Sequence, residues 1–303
     1  MQHQIMLRKV KLKSKYKIIK NSFGFYQIKP TPTDEEITKF YAEEFYTGDY
    51  KNFNDSSLKV QTNDDEFYRG RWNDIYNNIL EIKKNLPNKT SILDIGCGWG
   101  LALEFFKKKG MTCYGFDPSI EAVEYANKNK LNVKHAGIKN MDVFDGKKFN
   151  VITMLNVLEH LSDPILALKQ IKKILNKNGI LIIDVPNDFN EFQLIGNKLH
   201  GLKNWWVAPP NHLNYFSKDS LVKLLKSIGF KIKICEASFP LEMFLLFGEN
   251  YVGNKNLGKV CHKKRVNFEK NIRKYKKTDL LKKFYRSLAE LNLGRQIVVY
   301  ATL

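Results

Sequence analysis

The chain has few cysteines, no long apolar run and little arginine, and each shortage excludes a class of protein. Its four cysteines are well separated, with no C-x-x-C pair and no histidine spaced to complete a zinc site, so no metal is predicted. Reduced thiols of this kind fit a cytoplasm. The longest apolar run, 239–247, is interrupted by Glu242 and is far shorter than the roughly 20 residues of a membrane span. The N-terminus lacks the apolar core of a signal peptide, so we expect a cytoplasmic protein without a membrane span.

The net charge of +19 is the least ordinary feature of the composition. Such an excess of positive charge is compatible with nucleic acid, an anionic membrane face or a phosphorylated substrate as partner. Only seven of the 50 basic residues are arginine, however, and planar recognition of phosphates and bases favours arginine. A genome biased toward lysine codons explains the charge without any partner. A nucleic-acid partner is therefore not favoured.

The most informative stretch is 91–117, whose pattern predicts a strand, a glycine turn, a helix and a second strand. Glycines let the chain turn sharply and bring bare backbone close to a ligand. The second strand ends on Asp117, whose two carboxylate oxygens suit the two hydroxyls of a ribose. This combination predicts the nucleoside-binding half of a doubly wound sheet. The glycines of the turn are Gly96, Gly98 and Gly100.

The spacing of these glycines argues against a dinucleotide. A pyrophosphate site requires G-x-G-x-x-G, whereas this chain has G-x-G-x-G followed by Leu101. The N-terminus of the following helix still presents free N–H groups, which suit the carboxylate of an amino acid. S-Adenosylmethionine joins an amino acid to a nucleoside, so we predict it as the cofactor.

Further along the chain, a buried strand runs into a polar segment at 149–164, and another apolar strand follows at 180–187. Together with 92–100 and 114–119, these segments resemble the ordered motifs of the class I S-adenosylmethionine-dependent methyltransferases. The resemblance covers about residues 89–235 and a last strand at 296–303. It is nearest to the small-molecule branches, such as the ubiquinone-biosynthesis O-methyltransferases and the bacterial sugar or polysaccharide methyltransferases.

The resemblance implies an α/β fold: a doubly wound, Rossmann-like sheet of seven mostly parallel strands, with the last strand antiparallel. We expect this methyltransferase domain over 89–303, with an acceptor loop at 187–217 and an inserted segment at 236–293. Residues 1–88 are expected to form an N-terminal strand and helical cap. The insert either lines the acceptor pocket, forms the face of a homodimer, or is a packed helix pair.

Within the N-terminal part, residues 9–18 alternate between lysine and mostly apolar residues, which predicts a half-buried strand with a lysine face. A capped helix start is expected at 30–36. Residues 40–54 are rich in tyrosine and phenylalanine and are interpreted as a lid.

The family's motifs carry the expected cofactor contacts over to this chain. Arg71 lies on the preceding helix, where related enzymes place a group that reaches the methionine carboxylate, although it also fits plain helix packing. Gly137 stands where the family often has an acid for adenine, so adenine is expected to rest on backbone and on Ile138. The full set of predicted cofactor residues is Asp94, Gly96, Cys97, Gly98, Gly100, Asp117, Pro118, Ile138, Asn156 and Arg71.

The acceptor loop follows the carboxyl end of a parallel strand, where open sheets bind ligands. Methyl transfer requires alignment of donor and acceptor and removal of a proton, and histidine is the usual base near neutral pH. His212 in this loop is the first candidate base and His160 the second, although each also fits a purely structural hydrogen bond. The predicted acceptor-binding residues are Trp205, Trp206, Asn214 and Tyr215.

The sequence thus predicts an O- or N-methyltransferase of a small metabolite, with a nucleotide-linked or glycan sugar of surface polysaccharide biosynthesis as the favoured acceptor. A quinone or other aromatic acceptor is the nearest alternative. Structured RNA is a second alternative, suggested by the charge and the lysine-rich insert. A non-catalytic module that keeps the cofactor fold is the third.

Overall fold

The computed structural model describes residues 15–33, 35–37, 57–87 and 89–303. The lid predicted at 40–54 lies outside these residues, as does most of the strand predicted at 9–18. Of its described residues, 15–18, only Lys17 and Ile18 belong to a strand, β1, which extends over Lys17–Lys20, whereas Lys15 is helical. The capped helix start is confirmed: the Glu36 amide donates to Thr33 Oγ1 at 3.1 Å, and the Thr33 amide donates to Glu36 Oε2 at 2.9 Å.

Ten strands and ten α-helices are described. The strands are β1 Lys17–Lys20, β2 Tyr26–Lys29, β3 Ser91–Ile95, β4 Thr112–Asp117, β5 Val133–His135, β6 Phe149–Leu155, β7 Leu175–Pro186, β8 Asn214–Tyr215, β9 Lys231–Ala237 and β10 Gln296–Thr302. The helices are α1 Leu58–Asn63, α2 Asp65–Ile82, α3 Leu101–Lys108, α4 Ile120–Lys128, α5 Pro164–Ile174, α6 Glu191–His200, α7 Lys218–Ile228, α8 Met243–Leu246, α9 Lys255–Lys274 and α10 Thr278–Glu290.

Seven of the strands form one sheet in the order β5-β4-β3-β6-β7-β10-β9. β3 pairs in parallel with β4 on one side and β6 on the other, so Leu93 lies opposite both Tyr114 and Ile152. The C-terminal strands of the sheet run antiparallel, which confirms the predicted fold class. Parallel pairing brings the carboxyl ends of β3, β4 and β6 to one edge, where this type of sheet binds ligands.

The apolar pattern of the sequence explains how the donor half of the sheet is buried. The side chains of Ile92 and Leu93 in β3 are fully enclosed, as expected of a strand covered by helices on both faces. The helix predicted after the glycine turn is α3, and its Leu103, Phe105 and Phe106 are buried. The helix predicted before the glycine strand is α2.

β7 begins earlier than its apolar segment suggested. The sequence predicts the strand from residue 180, whereas it begins at Leu175, directly after α5. Buried Leu175 is followed by three polar residues, 176–178, which are half-buried or exposed, so their side chains give no periodic signal, although their backbone belongs to the strand. A pattern of apolar residues therefore does not predict a polar stretch at the start of a strand.

The backbone divides into two compact units. Unit 1 comprises the described residues up to Thr31, with Asp184–Leu224 and Cys235–Val299; unit 2 comprises those of Pro32–Ile183, with Leu225–Ile234 and Tyr300–Leu303. Unit 1 contains a three-stranded sheet in the order β1-β2-β8. The boundary expected between residues 88 and 89 stays a prediction.

The segment before β10 contains a helix pair, α9 and α10. Tyr285 on α10 donates its hydroxyl to Glu269 Oε1 on α9 at 2.6 Å, and the Phe268 and Phe284 ring centroids are 5.9 Å apart. These contacts agree with the predicted alternative that the inserted segment is a packed helix pair. The alternative that it forms the face of a homodimer stays a prediction. No helix among the described residues combines the length and the apolar character needed to cross a bilayer.

Candidate active site

The glycine turn after β3 requires glycine for two separate reasons. Gly96 and Gly100 have φ angles of 68° and 74°, which side-chain-bearing residues rarely adopt. A Cβ atom on Gly96 would lie 2.6 Å from Val157 Cγ2, and one on Gly100 would lie 2.6 Å from Leu131 Cδ1. Gly98 also has a positive φ, but no atom lies within 4 Å of its Cβ position. The middle of the turn therefore presents bare backbone to open space.

Asp117 at the end of β4 holds this turn in place. Its Oδ2 accepts a hydrogen bond from the Gly98 amide and its Oδ1 one from the Ser119 amide, both at 2.8 Å. Burial raises the pKa of the Asp117 carboxyl, while the two amide bonds and nearby His135 act in the opposite direction. Each carboxylate oxygen can accept a second hydrogen bond. The capacity to accept two ribose hydroxyls is therefore retained.

Asp94 and Cys97 are held inside unit 2. Asp94 is buried and accepts a hydrogen bond from Thr153 Oγ1 at 2.7 Å, which links β3 to β6. Burial raises the pKa of Asp94 to about 7, because the Thr153 bond only partly offsets desolvation and the negative charge of Asp117 adds to it. Burial and these two carboxylates also raise the pKa of the Cys97 thiol well above its usual range. Cys97 is thus a neutral thiol, and the direct cofactor contacts of both residues stay predictions.

Asn156 follows β6 in a strained conformation, with φ at 56°. Asparagine tolerates this left-handed region better than most residues, and such strain is common at functional sites. Its Nδ2 donates to Glu159 Oε1 at 3.3 Å, and His160 Nε2 lies 3.8 Å from the same oxygen. Buried Glu159 thus holds Asn156 by a hydrogen bond and lies close to His160. This agrees with an organising role for Glu159, while His160 as base stays a prediction.

Of the remaining cofactor candidates, Pro118 follows β4 and Ile138 comes shortly after β5, whereas Arg71 lies in α2. The Pro118 carbonyl oxygen lies 3.0 Å from His135 Nε2. Ile138 begins a 3-10 turn after Gly137, whose Cβ position has no atom within 4 Å, so an acidic side chain would fit where the family often has one. The Arg71 guanidinium lies 5.6 Å from the Phe67 ring centroid. Their contacts with the cofactor stay predictions.

An aromatic cluster in unit 1 surrounds the loop that follows β7. Phe189 has a φ of 59°, which is a strained conformation for a bulky residue. Its ring centroid lies 4.4 Å from that of Tyr26 and 5.3 Å from that of Trp206. Trp206 is buried, whereas Trp205 is half-buried. The sequence singled out the tryptophans, but Tyr26 was missed because it lies 163 residues before Phe189 and gives no local signal.

The other predicted acceptor residues support the loop from inside. Asn214 and Tyr215 form β8 and are buried. Asn214 Oδ1 accepts a hydrogen bond from Gln27 Nε2 at 2.8 Å, and the Tyr215 hydroxyl donates to the His212 carbonyl oxygen at 2.9 Å. The His212 amide in turn donates to the Ala208 carbonyl oxygen at 3.0 Å. Half-buried His212 is thus fixed through its backbone, and contact of these three residues with an acceptor stays a prediction.

A buried charged cluster in unit 1, formed by Asp188, Glu242 and Arg295, was not predicted from the sequence. Glu242 is fully buried, and its Oε1 accepts a hydrogen bond from Arg295 Nη1 at 3.0 Å, while 34% of the Arg295 side chain is exposed. Asp188 is also buried; burial raises its pKa to about 7, and the charge of Arg295 acts in the opposite direction. Asp188 Oδ2 and Glu242 Oε2 have no hydrogen-bond partner among the described residues. Asp188 and Glu242 therefore each keep one oxygen that can accept a hydrogen bond, beside the Arg295 guanidinium.

The glycine turn, the acid ending β4 and the strand order agree with the comparison to known proteins. A methyltransferase-domain family matches residues 65–233, more than half of the chain. The chain belongs to the class I S-adenosylmethionine-dependent methyltransferases. The enzyme class and the cofactor are thereby confirmed, and the sugar branch stays a prediction. The structure fits the cofactor, because the bare Gly98 backbone leaves space and Asp117 keeps acceptor capacity.

Two relatives illustrate the range of acceptors in the family. The methyltransferase is 30% identical to a ubiquinone biosynthesis O-methyltransferase of Pelagibacter ubique over 164 residues, which cover 50% of this chain and 68% of that protein. It is 33% identical to a tRNA U34 carboxymethyltransferase of Campylobacter jejuni over 182 residues, covering 55% and 59%. The chain therefore spans only about three fifths to two thirds of these relatives.

Solved structures share the fold at low identity. The plantazolicin methyltransferase BpumL, in complex with SAH, aligns with a TM-score of 0.53 at 19% identity and covers 88% of this chain and 93% of its own. A SAM-dependent methyltransferase from Archaeoglobus fulgidus aligns with a TM-score of 0.53 at 20% identity and covers 84% and 100%. These similarities establish the architecture of the methyltransferase.

Proposed function

We propose that this methyltransferase transfers a methyl group to an oxygen or nitrogen of a small metabolite, with a nucleotide-linked or glycan sugar as the favoured acceptor. The observation that carries the proposal is the glycine turn closed by Asp117, which leaves open space beside the Gly98 backbone and a carboxylate whose oxygens can each accept a further hydrogen bond from the donor. Bound S-adenosylmethionine supplies a methyl group on a positively charged sulfur.

The residues of the chain then have to align the acceptor and receive its proton. Alignment alone supplies much of the rate of an in-line displacement, because the reacting atoms must approach within roughly 3–3.5 Å. We assign proton removal first to His212, whose backbone is fixed on both sides by Ala208 and Tyr215. His160, which lies close to Glu159, is the second candidate.

The aromatic cluster of unit 1 supports a ring-shaped acceptor. The faces of Trp205 and Phe189 are only partly buried, and an aromatic face stacks on the apolar face of a sugar as well as on an aromatic ring. The same surface therefore supports a second candidate, a phenolic or quinol acceptor, and one relative of the chain is a ubiquinone biosynthesis O-methyltransferase. The unpartnered oxygens of Asp188 and Glu242 favour an acceptor rich in hydroxyl or amino donors, and this favours the sugar.

The decisive experiment offers radiolabelled methyl donor to the methyltransferase with nucleotide sugars, with quinols and with RNA in separate reactions. Label in the sugar fraction is the expected result. Label in quinols or RNA would replace the acceptor while keeping the reaction. If calorimetry detects no binding of S-adenosylmethionine, the chain is a non-catalytic module and the proposal is wrong.

A further inference from the structure

The charged cluster of Asp188, Glu242 and Arg295 contains two buried acids and one cation. Glu242, which immediately precedes α8, forms a salt bridge with Arg295 at 3.0 Å. Arg295 is also the positively charged group that acts on Asp188, so a single guanidinium serves both carboxylates. When both acids are ionised, one negative charge is in excess. A buried carboxylate without a cation of its own is costly in free energy, so a positive charge from outside the chain would stabilise the cluster.

Three oxygen atoms of this region have no hydrogen-bond partner among the described residues. They are Asp188 Oδ2, Glu242 Oε2 and Gln193 Oε1. Gln193, on α6, is fully buried. Burial raises the pKa of Asp188 to about 7, Arg295 and Gln193 act in the opposite direction, and Glu242 adds to the rise. All three of these side chains therefore lie close to the same carboxyl, and the unpartnered oxygens belong to one cluster.

The number of oxygens and the excess charge distinguish between kinds of occupant. A buried water molecule donates hydrogen bonds to such oxygens, but it is neutral and leaves the charge uncompensated. A sugar hydroxyl is neutral as well and donates only one hydrogen bond. A primary ammonium group donates three hydrogen bonds and carries one positive charge. It therefore matches both the three unpartnered oxygens and the missing cation.

The charged cluster extends to the protein surface and shares a loop with the aromatic cluster of unit 1. The Arg295 side chain is 34% exposed. Half-buried Tyr251 stands beside Glu242 and Arg295, and its hydroxyl also has no partner among the residues that the structure describes. Asp188 directly precedes Phe189, whose ring belongs to the aromatic cluster. One loop thus contributes to a face for stacking and to a site for a cation.

We propose that the charged cluster binds a primary ammonium group of the acceptor, which makes the acceptor an amino sugar. This inference rests on the proposed function and names the class of sugar. The ammonium donates hydrogen bonds to Asp188 Oδ2 and Glu242 Oε2, while the sugar ring stacks on the aromatic cluster. A protonated amine has no free electron pair, so it serves recognition, and the methyl group goes to another oxygen or nitrogen of the same sugar.

Binding is measured by calorimetry at pH 7 without methyl donor, so that the site is tested independently of methyl transfer. The probes are methyl glucosides in which an amino group replaces each ring hydroxyl in turn. Methyl glucoside is the neutral control, and the N-acetylated form of each probe keeps the nitrogen but removes its charge. We expect at least one amino glucoside to bind about tenfold more tightly than its neutral controls, as for hydrogen bonds to charged groups. Equal affinities throughout would overturn the proposal and leave the cluster to water.

The variant Asp188→Asn removes the charge of the acid while keeping its shape. We expect its preference for the amino glucoside over the neutral controls to fall by about tenfold. Asp219→Asn is the matched control, because it removes a carboxylate that is 75% exposed on α7 and gives the same net charge. This control should keep the preference of the native protein within about twofold. Equal losses in both variants, at equal melting temperatures, would mean that only overall charge attracts the amine, and the proposal would be wrong.

The pH dependence of binding tests whether Asp188 is the acid involved. The charged and titratable groups that face Asp188 are Arg295, Glu242 and Tyr215. Below pH 7 the amine stays protonated, whereas Asp188 takes up a proton, because its pKa is about 7. We therefore expect affinity for the amino glucoside to fall by up to about tenfold per pH unit from pH 7 to pH 5. Asp188→Asn should show no such fall, and parallel pH profiles would overturn the assignment.

Methyl transfer is measured separately, so that failure of the ammonium site and failure of the proposed function are distinguishable. Label transferred to neutral nucleotide sugars, without preferential binding of any amino glucoside, would overturn the ammonium site and still support the proposed function. Preferential binding of an amino glucoside without transfer of label to any sugar would support the site and contradict a sugar as the methyl acceptor.

Discussion

The glycine turn of unit 2 and the loop of unit 1 satisfy their buried acids in opposite ways. Asp117 and Asp94 accept hydrogen bonds from groups of their own chain: two backbone amides in one case and a threonine hydroxyl in the other. Asp188 and Glu242 each keep one oxygen without a partner among the described residues. The glycine turn is thus completed by hydrogen bonds within its own chain, whereas Asp188 and Glu242 each keep an oxygen that can accept a hydrogen bond.

This difference has a physical origin. A cofactor shared by a whole family can be bound by a turn of fixed backbone shape, because any sequence with glycines at the required positions can form that turn. An acceptor specific to one enzyme has to be recognised by side chains. Buried polar groups left unpaired cost about 1–3 kcal/mol each, so their retention indicates a ligand or water that pairs with them.

The largest effect is expected from His212→Ala. Loss of a general base slows turnover by roughly 100-fold, because positioned proton transfer contributes about that much. Donor affinity should not change, since His212 is assigned to proton removal and is not among the predicted donor residues. Single-turnover rates with labelled donor and calorimetry with S-adenosylhomocysteine measure the two quantities. The matched control is His200→Ala, whose Nε2 lies 2.8 Å from the Leu245 carbonyl oxygen. Equal turnover in both variants and the native enzyme would remove His212 from the reaction.

Asp117→Ala should weaken cofactor binding by about 10- to 30-fold, as expected for lost hydrogen bonds to a charged group. The substitution also frees the Gly98 and Ser119 amides. Asp117→Asn keeps one acceptor oxygen and should lose less affinity. Calorimetry with S-adenosylmethionine compares the two variants. Unchanged affinity in Asp117→Ala would refute the ribose contact.

Gly100→Ala tests the shape of the turn without removing a polar group. The added methyl would lie 2.6 Å from Leu131 Cδ1, and φ is positive, so we expect cofactor affinity to fall by about tenfold. Gly110→Ala is the matched control, because Gly110 has a φ of 85° but no atom within 4 Å of its Cβ position. The control should lose about 1 kcal/mol of stability and keep its affinity. Similar affinities in both variants would argue that the turn does not bind the donor.

The donor region was predictable because its signals are short-range. The glycine pattern, Asp117 and the apolar strands lie within 27 residues, and the chain's own hydrogen bonds join them there. The loop at 187–217 and the buried charged cluster combine residues that are far apart in sequence. Gln27 bonds to Asn214 across 187 positions, and Glu242 meets Arg295 across 53. No local pattern pairs such residues, so burial of Asn214 and Tyr215 and the charged cluster could not be predicted from one sequence.

Asp188→Asn, like His212→Ala, is expected to leave donor affinity unchanged. Its informative consequence is the pH dependence of stability. The pKa of Asp188 is raised from 3.8 in the ordinary state to about 7 in the folded protein, so the folded state binds the proton more tightly. This stabilisation is fully present below about pH 4 and is lost as the pH rises toward 7, on the order of a few kcal/mol.

The asparagine variant lacks this titration. We therefore expect the difference in unfolding free energy between variant and native protein to shift in favour of the variant as the pH rises from 4 to 7, measured by urea denaturation at each pH. Asp219→Asn, at an exposed carboxyl on α7, is the control and should leave the curve of the native protein unchanged. An acceptor that pairs with Asp188 through hydroxyl or amino groups would flatten the native curve when added. Parallel curves of unfolding free energy against pH for Asp188→Asn and the native protein would mean that folding does not raise the pKa of Asp188. The contrast between the glycine turn of unit 2 and the loop of unit 1 would then disappear.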